Sequence, residues 1–97
     1  MKPIPNSIIK LVRREKIAFS QKAQQVLFSG ELTLDDLICS IFNGCVLKKE
    51  RDETRKSRFK YTIIGPTLSG KSAYSCGKIV TYGKETEYFI ITLHEAR

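Results

Sequence analysis

Gly65-Pro66-Thr67-Leu68-Ser69-Gly70-Lys71-Ser72 matches the phosphate-cradling P-loop pattern residue for residue, and it directly follows the strand-like run Phe59 to Ile64. Two folds hang on what comes next. If a helix follows, its amides and positive dipole end hold phosphates, the lysine reaches the β/γ oxygens, the serine binds Mg²⁺, and the chain is a nucleotide hydrolase. If a strand follows, the stretch is only a turn between two strands of a sheet. Ala73 to Gly83 carry two glycines among β-branched and aromatic residues, a composition that disfavours helix. The chain has 97 residues, so 25 follow Ser72, too few for further βα units and a second acidic strand for the metal. The turn reading wins, and no nucleotide is expected at Gly65–Ser72.

Outward from that turn the periodicity is two. Phe59, Tyr61 and Ile63 alternate with Lys60, Thr62 and Ile64, Tyr74 to Tyr82 form the next strand with a bulge at Gly77, Gly83-Lys84 is a hairpin turn, and Glu87 to His94 close the sheet. Cys45-Val46-Leu47 begins the first of these four strands. Strict alternation places Phe59, Tyr61, Ile63, Phe89, Ile91 and Leu93 against the helices and Lys60, Thr62, Tyr88 and His94 on the open face.

Before Gly44 the periodicity is helical. Asn6 or Ser7 can cap Ile8–Arg14, with Ile8, Leu11 and Val12 on one face. Ile17–Phe19 is a short strand-like step. Ser20 caps Gln21–Phe28, in which Ala23, Val26 and Leu27 face inward, and Gly30 stops it. Thr33 with Asp36 resembles a capping box, ahead of a stripe of Leu34, Leu37, Ile38, Ile41 and Phe42 that Asn43-Gly44 ends. The expected fold is α+β: two or three N-terminal helices packed on a four-stranded antiparallel sheet, in a single domain spanning residues 1–97.

Lys and Arg number 17 against 10 Asp and Glu, a net charge of +7, which favours a polyanionic partner. No membrane span or signal peptide is visible. Cys39, Cys45 and Cys76 are an odd set without a C-x-x-C, and the lone His94 completes no metal set, so reduced thiols, no metal, no cofactor and a cytoplasmic location are expected. Each cysteine is read as a small buried hydrophobe.

The densest charge runs from Lys48 to Lys60, with seven basic and three acidic residues. Lys48, Lys49, Arg55, Lys56, Arg58, Lys60 and Lys78 are the candidate nucleic-acid contacts. Tyrosines 61, 74, 82 and 88 interleave with lysines 60, 71 and 78 and with Arg97, a pattern suited to stacking on bases. His94 is the one side chain that ordinarily titrates near neutrality.

From Ile17 to Arg97 the chain resembles the toxin-like family DUF 4258, itself similar to the RelE, BrnT and MqsR group of small bacterial toxins. The resemblance rests on Ile17-Ala18-Phe19-Ser20-Gln21-Lys22-Ala23 entering the helix, Gly30-Glu31-Leu32-Thr33-Leu34-Asp35-Asp36-Leu37, Phe42-Asn43-Gly44-Cys45-Val46-Leu47, Phe59 to Gly65 with the Gly70-Lys71-Ser72 turn, and the closing Ile90-Ile91-Thr92-Leu93-His94-Glu95. It implies a RelE-like fold and a metal-independent endoribonuclease acting on mRNA, controlled by an antitoxin-like protein. His94 would then be acid or base, Lys71 would stabilise transition-state charge, and Tyr74 or Tyr61 would orient the scissile nucleotide. Two departures stand against catalysis: Lys22 occupies the family's histidine position and Val26 its arginine position. A non-catalytic nucleic-acid-binding module and an interaction protein docking an acidic partner are the competing readings.

Overall fold

Ser72–Tyr82 is a strand, so the segment after Lys71 extends instead of winding into the helix a phosphate cradle requires. The computed structural model describes residues 2–53 and 58–96. It contains α1 (Asn6–Arg13), β1 (Ile17–Phe19), α2 (Gln21–Ser29), α3 (Leu34–Asn43), β2 (Cys45–Arg51), β3 (Phe59–Pro66), β4 (Ser72–Tyr82) and β5 (Glu85–Ala96). The class is α+β as expected, but the sheet has five strands and is mixed. Its order is β1-β5-β4-β3-β2, with β1 parallel to β5 and every other pair antiparallel. The step Ile17–Phe19 is the added strand. Its three residues pair with Tyr88, Phe89 and Ile90, a contact between distant parts of the chain that periodicity cannot reveal.

Each helix start has a visible cause. Ile8 N and Ile9 N donate to the Pro5 carbonyl, so α1 begins on a backbone acceptor and neither Asn6 nor Ser7 caps it. Ser20 caps α2 as expected: its Oγ accepts from Ala23 N at 3.1 Å. Gly30 ends α2 in the left-handed region at φ 81°. Thr33 and Asp36 form the full capping box, each side chain accepting from the other's amide at 3.1 Å.

The helices bury one sheet face. Ile8, Val12, Ala23, Leu37 and Ile41 meet Ile63, Ala73, Tyr88, Ile90 and Leu93 in one core. The stripe of α3 is broader than its buried part, because Leu37 and Ile41 are fully buried while Leu34 and Phe42 are exposed. The cysteines are half-buried, less enclosed than expected.

The expected orientation of β5 is overturned in its first half. Tyr88 and Ile90 point into the core, and Phe89 takes the open face. The reason is a bulge. Gly77 pairs with Ile90 while Cys76 pairs with Thr92, so Ile91 is an extra residue and the alternation changes phase there. Leu93 and His94, beyond the bulge, sit as expected. Ser20 holds this break together: its hydroxyl donates to the Ile91 carbonyl at 2.6 Å, and its own N–H donates to Ile90 O. Ser20→Ala therefore removes a helix cap and the partner of a bulge carbonyl, and should lower unfolding free energy by about 2 kcal/mol. A urea midpoint unchanged from that of the parent chain would contradict this.

Asp36 also reaches beyond its own helix. Its Oδ1 accepts from Leu68 N at 3.2 Å, tying the Gly65–Ser72 turn to the start of α3. The Thr33 backbone hydrogen bond, then the Thr33 hydroxyl, the Leu68 amide and the Lys71 charge, hold its carboxyl below the usual range against the opposing effect of burial. A lowered folded-state value means stability that is present above the unfolded value of about 3.9 and lost as pH falls through the folded one. Unfolding titrations below pH ~4 should show this loss, and Asp36→Asn should flatten it.

Candidate nucleic-acid interface

The register divides the residues expected to form a catalytic site. Tyr74 pairs with Ile64 and His94, and Lys60 pairs with Lys78, all on the face opposite the helices. Tyr74 and His94 stack with ring centroids 4.6 Å apart and planes 21° from parallel. The His94 Nδ1 lies 3.1 Å from the Glu95 carbonyl, which accepts from it when that nitrogen carries the proton. Lys60 is four residues along β3 from Ile64, about 13 Å away from the His94 row at the usual strand rise. Lys71 has the alternation of Ala73, so it belongs to the helix-bearing face, where it pairs with Glu95 at 3.7 Å. Tyr74 and His94 are thus together, while Lys71 lies on the other face and Lys60 and Lys78 lie two rows down.

The open face is also closer to charge balance than the composition implies. Lys48 pairs with Glu50 at 3.5 Å. Lys78 Nζ donates to Asp52 Oδ2 at 2.9 Å, with the lysine side chain 22% and the carboxylate 5% exposed. Lys60 has no ion pair among the described residues. Tyr88, expected here, is fully enclosed on the other face with its ring against Gly77, and burial pushes its phenol far above the ordinary value. Arg55, Lys56 and Arg97 lie outside the described residues.

Three cations that have no acidic partner among the described residues converge elsewhere. In the β2–β3 register Lys49 faces Tyr61 and Arg51 faces Phe59. Lys49 Nζ sits 4.3 Å from the Phe59 ring centre and 5.7 Å from that of Tyr61, and the Arg51 guanidinium is 5.9 Å from Phe59. These contacts belong to the helix-bearing face at the end of the sheet where the rings remain only half-buried. Beside them lies a cleft of about 310 Å³ lined by Arg58, Phe59, Tyr61, Ile79 and Thr81. Arg58 Nη1 donates to the Ile79 carbonyl at 3.0 Å, which fixes the guanidinium at the rim. Among the described residues no carboxylate pairs with Lys49, Arg51 or Arg58. Lys49 and Arg58 were legible as candidates from charge, and Tyr61 from its aromatic ring. Arg51 and Phe59 were not assigned, although pairing the alternating Lys49/Arg51 and Phe59/Tyr61 sets across one hairpin brings all four to one face.

A half-buried ring beside an anchored guanidinium and two further cations in a concave site has the chemistry to accept a base and its phosphate together. Among the described residues no cluster of three or more His, Cys, Asp or Glu could hold a metal ion, and no helix is long and apolar enough to cross a membrane. No family model, curated protein or solved structure matches the chain.

Proposed function

We propose that the protein is an RNA-binding domain of the toxin-like class, and that it binds through Lys49, Arg51 and Arg58 with Phe59 and Tyr61. The observation that carries this reading is the placement of Lys49 over Phe59 next to two further cations, none of them in an ion pair among the described residues. Three phosphate contacts on a single strand give a salt slope near −2, so affinity should fall about 20-fold between 50 and 200 mM salt. Fluorescence anisotropy with a labelled RNA measures this. Binding that ignores salt, or no binding at low salt, ends the reading.

The stacked Tyr74 and His94 favour a second one, in which the same protein is a metal-independent endoribonuclease acting on mRNA under control of an antitoxin-like partner. His94 would move the proton and Tyr74 would hold the nucleotide. Lys71 would need another role, since Glu95 and the turn engage it on the opposite face. Binding alone predicts that purified protein leaves mRNA intact, with or without ribosomes, and that His94→Ala keeps full RNA affinity. Cleavage abolished by His94→Ala would give the enzymatic reading priority. Tight binding to an acidic protein with no affinity for RNA would favour the interaction-protein reading instead.

A further inference from the structure

We infer that a bound single strand does not end in the Phe59–Tyr61 cleft but turns around the edge of β4 at Arg58 and enters a second cleft on the opposite face. The inference rests on the RNA-binding reading above. Its basis is a mismatch in strand length. Pairing of β3 with β4 ends at Lys60–Lys78, whereas β4 and β5 continue to Tyr82–Glu85. Among the described residues, the β4 edge from Ile79 to Tyr82 therefore has no strand beside it. Arg58 sits on that edge, anchored by its bond to Ile79 O.

Arg58 lines two clefts, the one of about 310 Å³ already described and another of about 230 Å³ formed with Lys78, Val80, Thr81, Tyr82 and Phe89. Thr81 also belongs to both. The first cleft carries Phe59 and Tyr61, and the second carries Phe89 and Tyr82, so rings flank the arginine on both sides. Tyr82 is 63% exposed and is the accessible platform of the second cleft. A guanidinium has five N–H donors in a planar fork, and the Ile79 carbonyl engages one nitrogen. The remaining donors can hold a phosphate at the crossing point.

Charge decides what each side receives. Lys78 is already neutralised by Asp52, and Glu87 stands opposite Val80 in the β4–β5 register. The second cleft thus offers little to a phosphate and suits a stacked base. The first, with Lys49 and Arg51 against the rings that line it, takes backbone as well as base. A duplex cannot follow such a path, because its stiffness extends over about 150 base pairs.

The test is anisotropy with a labelled oligouridylate of about ten nucleotides and a duplex RNA of the same length, a size within the range single-strand modules cover. Tyr82→Ala, an exposed substitution checked for folding by circular dichroism, should weaken single-strand binding about fivefold or more, as should Phe59→Ala. Arg58→Ala should weaken it further than either. If Phe59→Ala weakens binding and Tyr82→Ala does not, the strand stays on one face and the inference is wrong while the RNA-binding reading survives. Equal affinity for the duplex overturns it as well. A parent chain that binds neither RNA removes the reading itself, and this inference falls with it.

Discussion

Gly65→Ala should lower the unfolding free energy by about 3 kcal/mol, the upper range for overpacking. Thermal unfolding would then begin roughly 15 °C lower for a domain of this size. Gly65 lies where β3 passes under the last turn of α3. A Cβ built there would run into the Ser40 carbonyl oxygen, with the Ser40 carbonyl carbon at 2.8 Å and the Gly44 Cα at 2.9 Å. All of these are backbone atoms, so no rotamer change relieves the clash. Gly44→Ala should behave alike, since its Cβ would meet the same Ser40 carbonyl and that of Ile64. The double variant should cost less than the sum, because once α3 has moved off the strand the second methyl finds the space open. A melting temperature within 3 °C of the parent, ~1 kcal/mol or less for a domain this small, would refute the account.

Asp52→Ala should cost about 3 kcal/mol and, on the proposed RNA-binding reading, raise affinity for RNA, opposite signs from one substitution. Asp52 is buried, and its carboxylate neutralises Lys78 at 2.9 Å. Its backbone N–H also donates to the Arg58 carbonyl at 2.9 Å, so the pair braces the chain just ahead of the arginine at the cleft rim. Removing the carboxylate strands a lysine that is mostly enclosed. The same change frees that lysine's charge beside the second cleft, where it can meet a phosphate. Lys78→Met in the Asp52→Ala background should restore part of the stability and remove the gain in affinity. Urea titration and anisotropy on the three proteins separate the effects. Unchanged stability in Asp52→Ala would show that the pair is too solvated to matter, and weaker RNA binding would contradict the charge argument.

Local chemistry made several elements readable. The Thr33–Asp36 box, the Ser20 cap and the Gly30 stop depend on atoms within a few residues of one another, so their sequence patterns and their structures coincide. The rejection of a helix after Lys71 had the same local origin, since β-branched and aromatic residues set the preference of Tyr74–Tyr82. The candidate site was readable in composition only. Charge pointed to Lys48, Lys49, Arg58, Lys60 and Lys78, but charge carries no information about which carboxylate stands across the strand. Glu50 and Asp52 engage two of those lysines, and the cations that have no acidic partner among the described residues include Arg51, which was not singled out.

What the sequence by itself determined is therefore the class α+β, the ends of α2 and α3, the hairpin at Gly83-Lys84 and the excess of positive charge, all properties of neighbouring residues or of their sum. Tertiary structure decided that Ile17–Phe19 joins the sheet, that the bulge at Ile91 turns Tyr88 inward and Phe89 outward, and that Lys49, Arg51, Arg58, Phe59 and Tyr61 share one end of it. The physical reason is the period of two. One extra residue in a strand reverses every side chain on one side of it relative to the other, and the position of that residue is set by a partner strand and by the Ser20 hydroxyl, far away in the chain.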